Sequence, residues 1–350
     1  MKIGFISSAA IAHTTRSSIS EVQIELAKAQ AELASGRHHD DGLALGYQVS
    51  RAVSMRQEFD QLTALEESNG VLSERMTTTQ DSLQQMVDNA QSMLATLLVA
   101  RNSETNAPAV AALDAQAMLD GMVDSLGATF NGARIFGGIN SDTAPMNPYY
   151  STPPSLAKQS VDADFLAAFG MTQTSTTVGS IDGTSMQTFL DGAFANNFTG
   201  AAWTTNWSNA SDQVIESRIS ISTTIQTSVS GNEEPFQQMA QALTMVADLG
   251  GGDLGQSAFQ AVADTAIGLL GKAVSGLALQ QARIAVAEEE IQLSNDRMEL
   301  QKNVLTDGVQ ALEGVDPFEA STRATSLLTQ LETSFALTAR LQRLSLTNYL

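Results

Sequence analysis

No cysteine occurs anywhere in the 350 residues, which excludes disulfides, thiolate metal sites and cysteine nucleophiles. Histidine is almost as scarce, with His13, His38 and His39 as the whole complement. No glycine-rich phosphate loop is present, and the carboxylates sit along helical seams without a paired base. The chain therefore reads as non-enzymatic, with no cofactor and no metal site. The run His38-His39-Asp40-Asp41 has zinc-ligand residue types, but adjacent residues rarely converge on one ion and no H-E-x-x-H occurs. A solvated loop whose aspartates cap the next helix is the simpler reading. Basic residues are few: 18 Lys and Arg against 38 Asp and Glu leave a formal charge of −20. Such a chain is repelled by phosphates, so neither nucleic acid nor an anionic membrane surface is expected as a partner, and protein partners are. No uninterrupted apolar run approaches the ~18 residues of a membrane span, so no membrane insertion is expected. The opening MKIGFISSAAIA carries a lysine and an Ala10-Ile11-Ala12 tripeptide that mimics a signal-cleavage site. Gly4, Ser7 and Ser8 interrupt its apolar stretch, and a helical pattern follows at once, so it is read as part of the working chain.

What remains is helical periodicity. From Ser18 to Ser35, Ile19, Val22, Leu26, Ala29 and Leu33 alternate spacings of three and four, a heptad seam. Ser18-x-x-Glu21 has the form of a capping box opening this helix, and Gly36 closes it. After GRHHDDG a longer seam runs through Leu62, Leu65, Asn69, Leu72, Met76, Thr79, Leu83, Met86, Ala90, Met93, Leu97 and Ala100. Its methionines are read as core rather than as a binding face. Asn69 either fixes register or marks a place where the helix turns outward. Pro108 starts a further helix through Leu113, Leu119, Met122, Leu126 and Phe130.

Four of the seven prolines, both tryptophans and many Ser, Thr, Asn and Gly residues fall between about 140 and 210. No Glu or Arg occurs there, and the stretch reads as an irregular or β-containing insert. Its sequons at Asn197, Asn206 and Asn209 are triplets that such a composition produces by chance. Alternation in SRISIS and TIQTSVSG predicts a short β-hairpin near 217–230. EEPFQQMAQALTMVADLG then predicts a helix ended by Gly250. From about Gln256 to Leu312 two heptad stripes share one long helix: Leu277, Ile284, Ile291, Met298, Leu305 and Leu312, and Leu279, Val286, Leu293 and Leu300. Two positions are about 200° of turn, so the stripes oppose each other and both need cover. Which one faces neighbouring subunits is left open. The EEEIQ run at 288–292 is read as a solvated face.

The last helix opens on Asp316-Pro317-Phe318-Glu319. Its stripe through Leu327, Leu328, Leu331 and Phe335 is widened by Leu337, Leu341, Leu344, Leu346 and the terminal Leu350, an arc that one partner helix cannot cover. The expected fold class is therefore mainly α with a small β part. It forms an elongated multi-domain rod whose N- and C-terminal helices pair in a coiled-coil-like bundle. Residues 1–42 with 313–350 form the terminal assembly domain, 43–141 with 211–312 a helical middle domain, and 142–210 an outer inserted domain. The candidate assembly interface comprises Ile19, Val22, Leu26, Leu33, Leu331, Phe335, Leu337, Leu341, Leu344, Leu346 and Leu350.

Three stretches resemble a known family. SEVQIELAKAQAELASGRHHDD is similar to the N-terminal signature of the flagellin family, through Ser35, Gly36, Arg37, Asp40 and Asp41. NGARIFGGINSDTAPM resembles the Phe-x-Gly stretch of that family's hook-filament junction members, the hook-associated proteins, through Gly132, Arg134, Ile135, Phe136, Gly138, Thr143 and Pro145. LSLTNYL is similar to their C-terminus. His38, His39 and Gly42 depart from the family's usual residues in the first motif. The resemblance implies a structural axial component of the bacterial flagellum, extracellular and exported by the flagellar type III apparatus without a cleaved signal peptide. It would join a hook-side junction protein to flagellin, with other copies of itself in a ring and an export chaperone as further partners. A flagellin-like filament subunit and a helical signalling or binding module are the alternative readings.

Overall fold

A computed structural model describes residues 8–103, 106–250 and 254–347. Helix α1 spans Ser8–Ser35 and ends where Gly36, at φ +71°, turns its N–H back to the Glu32 carbonyl at 2.8 Å. The helix is thus already under way by Ser8, and Ser18 and Glu21 are exposed mid-helix residues rather than a capping box. The Ala-rich stretch ahead of Ser18 has enough helix propensity to carry the helix through that signal. Helix α2 (Asp41–Leu45) is capped by Asp40, whose Oδ1 accepts from Leu43 N at 3.0 Å. Helix α3 (Val49–Ala100) and α4 (Ala107–Leu126) follow, the latter with Pro108 in its first turn.

Strands β1 (Thr129–Phe130) and β2 (Ala133–Arg134) pair antiparallel across Asn131 and Gly132, both at positive φ, as a tight two-residue hairpin requires. Helix α5 (Leu156–Phe169) is capped by Ser155 and ended by Gly170 at φ +67°. Helix α6 (Gly183–Phe189) continues as a π-helical turn, Leu190–Phe194. Helix α7 (Gly200–Ala202) does the same over Trp203–Trp207. The hairpin of β3 (Glu216–Arg218) and β4 (Thr224–Gln226) pairs Ser217 with Ile225. Helix α8 (Glu234–Thr244) extends into a π-helical turn, Met245–Leu249, that stops at Gly250. Helices α9 (Gln256–Glu313) and α10 (Pro317–Thr347) complete the chain, α10 capped by Asp316 Oδ1, which accepts from Phe318 N at 2.8 Å.

The described chain is mainly α with a small β part. The strands flank 142–210 rather than fall inside it, and that segment folds as short helical pieces around aromatic side chains. Tyr149 stacks on Trp207 at 5.3 Å between ring centroids, and Phe165, Phe189, Phe194 and Phe198 continue the chain of ring contacts. The core of this stretch lies in the rings, several of them paired four residues apart on short helical pieces, as Phe165 with Phe169, Phe194 with Phe198 and Trp203 with Trp207.

The chain divides into two compact units: residues 1–64 with 297–350, and residues 65–296. In the second unit Met76, Leu83, Met86, Ala90, Met93 and Leu97 are buried in one continuous core with α4, α8, α9 and the aromatic segment. The methionines are core, as their heptad spacing requires. Asn69 is fully buried and does not turn outward. Its Nδ2 donates to the Ile219 carbonyl at 2.9 Å and to Asn295 Oδ1 at 2.7 Å, and Ser294 Oγ donates to the same carbonyl at 3.0 Å. One α3 side chain thereby ties the loop after β3 to α9, a register-specific arrangement that an apolar residue could not make. The two stripes of α9 separate clearly: Leu277, Ile284 and Ile291 are buried, while Leu279 and Val286 on the opposite face are more than half exposed.

Among the described residues α9 alone has an 18-residue window, of mean hydropathy 1.4, long and apolar enough to cross a membrane. No single apolar run predicts it, because Gly and Ser interrupt the window. One third of that window is buried, and Val262, Ala263, Ala266, Leu270, Ala273 and Leu277 belong to the core just described.

Candidate assembly surface and the latch between the chain ends

In the first unit α1 and α10 pack antiparallel, since the end of α1 meets the start of α10 through backbone bonds. Val315 N donates to the Gly36 carbonyl at 3.0 Å, and His38 N donates to the Glu313 carbonyl at 3.0 Å. Arg37 and Gly314 form an antiparallel bridge between them. The Ser-Gly-Arg motif has a physical task here. Gly36 supplies the left-handed turn, and Ser35 Oγ accepts from Arg37 N at 3.2 Å, which sets the exit direction. Arg37 then aims at Glu313.

Glu313 is 1% exposed. Arg56 from α3 bonds its Oε2 directly, Arg37 Nη1 lies 3.9 Å from the same oxygen, and Arg56 also approaches Asp41 Oδ2 at 3.7 Å. A second ion pair stands beside it: Arg323 Nη1 donates to Glu32 Oε2 at 3.0 Å, and Glu32 Oε1 accepts from His39 N at 3.1 Å. His38 Nδ1 is 4.0 Å from that oxygen. His38, His39 and Asp40 are thus spent on the latch and on the cap of α2. Glu32, Arg56, Glu313 and Arg323 were invisible as a group in the sequence, because each sits singly in a helical pattern and nothing local marks a pairing partner hundreds of residues away.

Replacing Glu313 with alanine is expected to cost the folded chain about 2 kcal/mol. That is below the roughly 3–5 kcal/mol for breaking a fully buried pair, because Arg56 is nearly half exposed and recovers water. Thermal denaturation checks it, with Arg37→Ala expected to have a smaller effect because Arg37 is more exposed and stands farther from the carboxylate. Equal losses from both would refute the ranking.

The seam residues divide by exposure. Val22 and Ala29 are buried, and Ile19, Leu26, Leu327 and Leu331 are half-buried. Leu33 is 45% exposed, and the inward position at that level is Glu32. A straight helix drifts about 20° per heptad away from a strict seven-residue repeat, and the Glu32–Arg323 pair holds the shifted face inward. On α10 the positions facing α1 continue as Ser334 and Thr338, which leaves Leu328, Phe335 and Leu337 half exposed and Phe318 almost fully so. The side chains of Leu341, Leu344 and Leu346, and the whole of Leu350, lie outside the described residues.

The second motif clamps the aromatic segment of the second unit. Phe136 is fully buried against Phe236 in an edge-on contact at 5.8 Å, beside buried Ile135. The Phe136 carbonyl accepts from Gly231 N at 2.8 Å, and the Gly137 carbonyl accepts from Ser211 N at 3.0 Å. Gly138 sits at φ +62°, and a Cβ there would stand 2.5 Å from the Ser211 carbonyl and 2.6 Å from that of Gln213. Arg134 Nη1 donates to the Gly127 carbonyl, and the Pro145 carbonyl accepts from Asn209 N at 2.9 Å; Thr143 is exposed. Two of the three sequons are engaged as well: Asn197 is buried against Ser160 and Asp164, and Asn209 Nδ2 donates to Asn147 Oδ1 at 2.9 Å.

Helical end regions folded on each other, with most of the middle of the chain forming a unit of its own, define a protein whose two terminal regions make one compact unit. Residues 6–141 match the family model of the bacterial flagellin N-terminal helical region, and residues 267–350 match that of the bacterial flagellin C-terminal helical region. Together they take in more than half of the chain, which belongs to the flagellin family. A structure described as a putative flagellar hook-associated protein from Vibrio parahaemolyticus is similar, with a TM-score of 0.53 and 11% identity, covering 76% of this chain and 97% of that one. Bacillus cereus FlgL matches with a TM-score of 0.42 and 12% identity, over 75% of this chain and 99% of that one. No curated protein matches at a significant level.

Proposed function

We propose that the chain is a structural axial protein of the bacterial flagellum that joins the hook, through a hook-side junction protein, to the flagellin filament. The observation that carries this reading is the buried Phe136–Gly138 clamp in a chain of the flagellin family. It is the stretch that resembles the family's junction members, and its Phe136 and Gly137 carbonyls are bonded by Gly231 and Ser211 of the same subunit. The exposed apolar residues on α10 and the outward stripe of α9 at Leu279 and Val286 supply surfaces for neighbouring copies in a ring and for flagellin above it. Export by the flagellar type III apparatus with a dedicated chaperone, and an extracellular location without a cleaved signal, complete the proposal.

Deleting the gene is expected to leave hooks without filaments and flagellin in the medium, and gold-labelled antibody in the wild type is expected to mark only the hook end of each filament. Label along the whole filament would replace this reading with that of a filament subunit. Normal filaments in the deletion strain would remove both.

A further inference from the structure

A lysine, two aspartates and a tyrosine meet at the edge of the aromatic core of the second unit, and the ring and latch described above make no use of them. Lys158 Nζ on α5 lies 3.1 Å from Asp248 Oδ1 in the π-helical turn after α8, where the Asp248 side chain is 8% exposed. Tyr149, fully buried and stacked on Trp207, donates its hydroxyl to Asp248 Oδ2 at 3.0 Å. Asp162, one turn along α5, is bonded to the same Nζ, and Gln173 Nε2 donates to Asp162 Oδ1 at 2.8 Å. An amine held against a buried carboxyl carbon, a hydroxyl on the second oxygen and a third carboxylate on the amine are the parts needed to make an amide.

We infer that Lys158 and Asp248 condense to an intramolecular isopeptide bond, a covalent tie between α5 and the turn after α8 in a chain that has no cysteine for disulfides. The Lys158 ammonium passes a proton to the Asp248 carboxylate it touches, leaving a neutral amine and a neutral acid, a minor state that the low exposure of Asp248 brings within reach. The amine lone pair attacks Asp248 Cγ, and the Tyr149 hydroxyl stabilises the charge that develops on Oδ2. Asp162 takes a proton from the attacking nitrogen and delivers it to Oδ1, which leaves as water. One C–N bond forms, one C–O bond breaks, one water is released, and no oxidant, reductant or other reactant is consumed. Contact within the fold replaces a bimolecular encounter, a large advantage for such a reaction.

Burial raises the Asp248 carboxyl above its ordinary range against the opposing pull of Lys158, so it is the group prepared to accept the proton. Burial works to lower Lys158, but its bonds to Asp162 and Asp248 outweigh this and hold the ammonium up. The proton transfer is therefore uphill, and the bond forms slowly as the folded protein ages.

Intact mass spectrometry of the full chain after prolonged incubation at neutral pH tests this directly. The expected result is a mass lower than that of the sequence by one water, and a proteolytic fragment joining the peptides that contain Lys158 and Asp248. Lys158→Ala and Asp248→Ala are expected to show the full sequence mass, and Asp162→Asn to slow the loss at least tenfold in a chain that still folds. A wild-type mass equal to that of the sequence after incubation would overturn the inference whether or not the variants fold. A water lost from any other pair of residues would overturn it equally.

Discussion

Phe136→Ala is expected to be among the most damaging single substitutions in the second unit, with a loss of roughly 3–5 kcal/mol in unfolding free energy. The ring has no exposure, meets Phe236 edge-on, and belongs to a core that runs without a break from α3 to the aromatic segment. Its backbone carbonyl also receives Gly231, so the chain cannot slide to fill the hole without giving up that bond. A natural domain holds only about 5–15 kcal/mol in all. Urea unfolding followed by the fluorescence of buried Trp203 and Trp207 reads the change. A loss below about 1 kcal/mol would mean that the clamp is not part of the cooperative unit. Gly138→Ala approaches the same loss by the opposite route, since its new methyl would meet two carbonyl oxygens well inside contact distance, on a backbone conformation that L-residues avoid.

The same two residues show what a sequence can and cannot announce. The helices were legible because their signals are local: Asp40 and Asp316 cap, Pro108 and Pro317 open, Gly36 and Gly250 close, and the heptads at Leu83, Met86 and Met93 declare a buried face. The capping box at Ser18 failed for a local reason too, because a cap is a permission to start that an Ala-rich lead can override. Long-range pairings left no such trace. Arg56 with Glu313, Arg323 with Glu32, and Lys158 with Asp248 are each a charged residue in a helical pattern, and their meaning comes from topology. The interior of 142–210 was hidden for a further reason. Its core is built by ring-on-ring contacts among short helical pieces and π-helical turns, where single i,i+4 pairs such as Phe194 with Phe198 are too short a run to declare a helical period. Its proline and glycine content reported the turns and was silent on the packing.

Phe335→Asp combined with Leu337→Asp is expected to leave the isolated protein folded and to abolish its hold on the filament. Both side chains are about half exposed in the single chain, whereas the positions that α10 turns toward α1 are Leu327, Leu331, Ser334 and Thr338. Little internal packing is therefore lost, and exposed substitutions of this kind stay near ±0.5 kcal/mol in folding stability. In an assembly the balance is reversed. Full burial of a Phe or Leu side chain contributes ~1.5–3 kcal/mol, and a carboxylate forced into the same contact must be stripped of water with no cation to receive it. A loss of about 3 kcal/mol per contact is already a hundredfold in association at 1.4 kcal/mol per tenfold, and every subunit of a ring suffers it. The measurement is the fraction of hooks bearing filaments in a strain carrying the double variant, with secretion of the variant confirmed by immunoblot and its thermal melting compared with the wild type. Filaments attached at wild-type frequency would show that neither flank of α10, Phe335 on one side of the α1-facing stripe or Leu337 on the other, is an assembly surface. A melting temperature lowered as far as by the Phe136 substitution would show that the two residues belong to the monomer's own core.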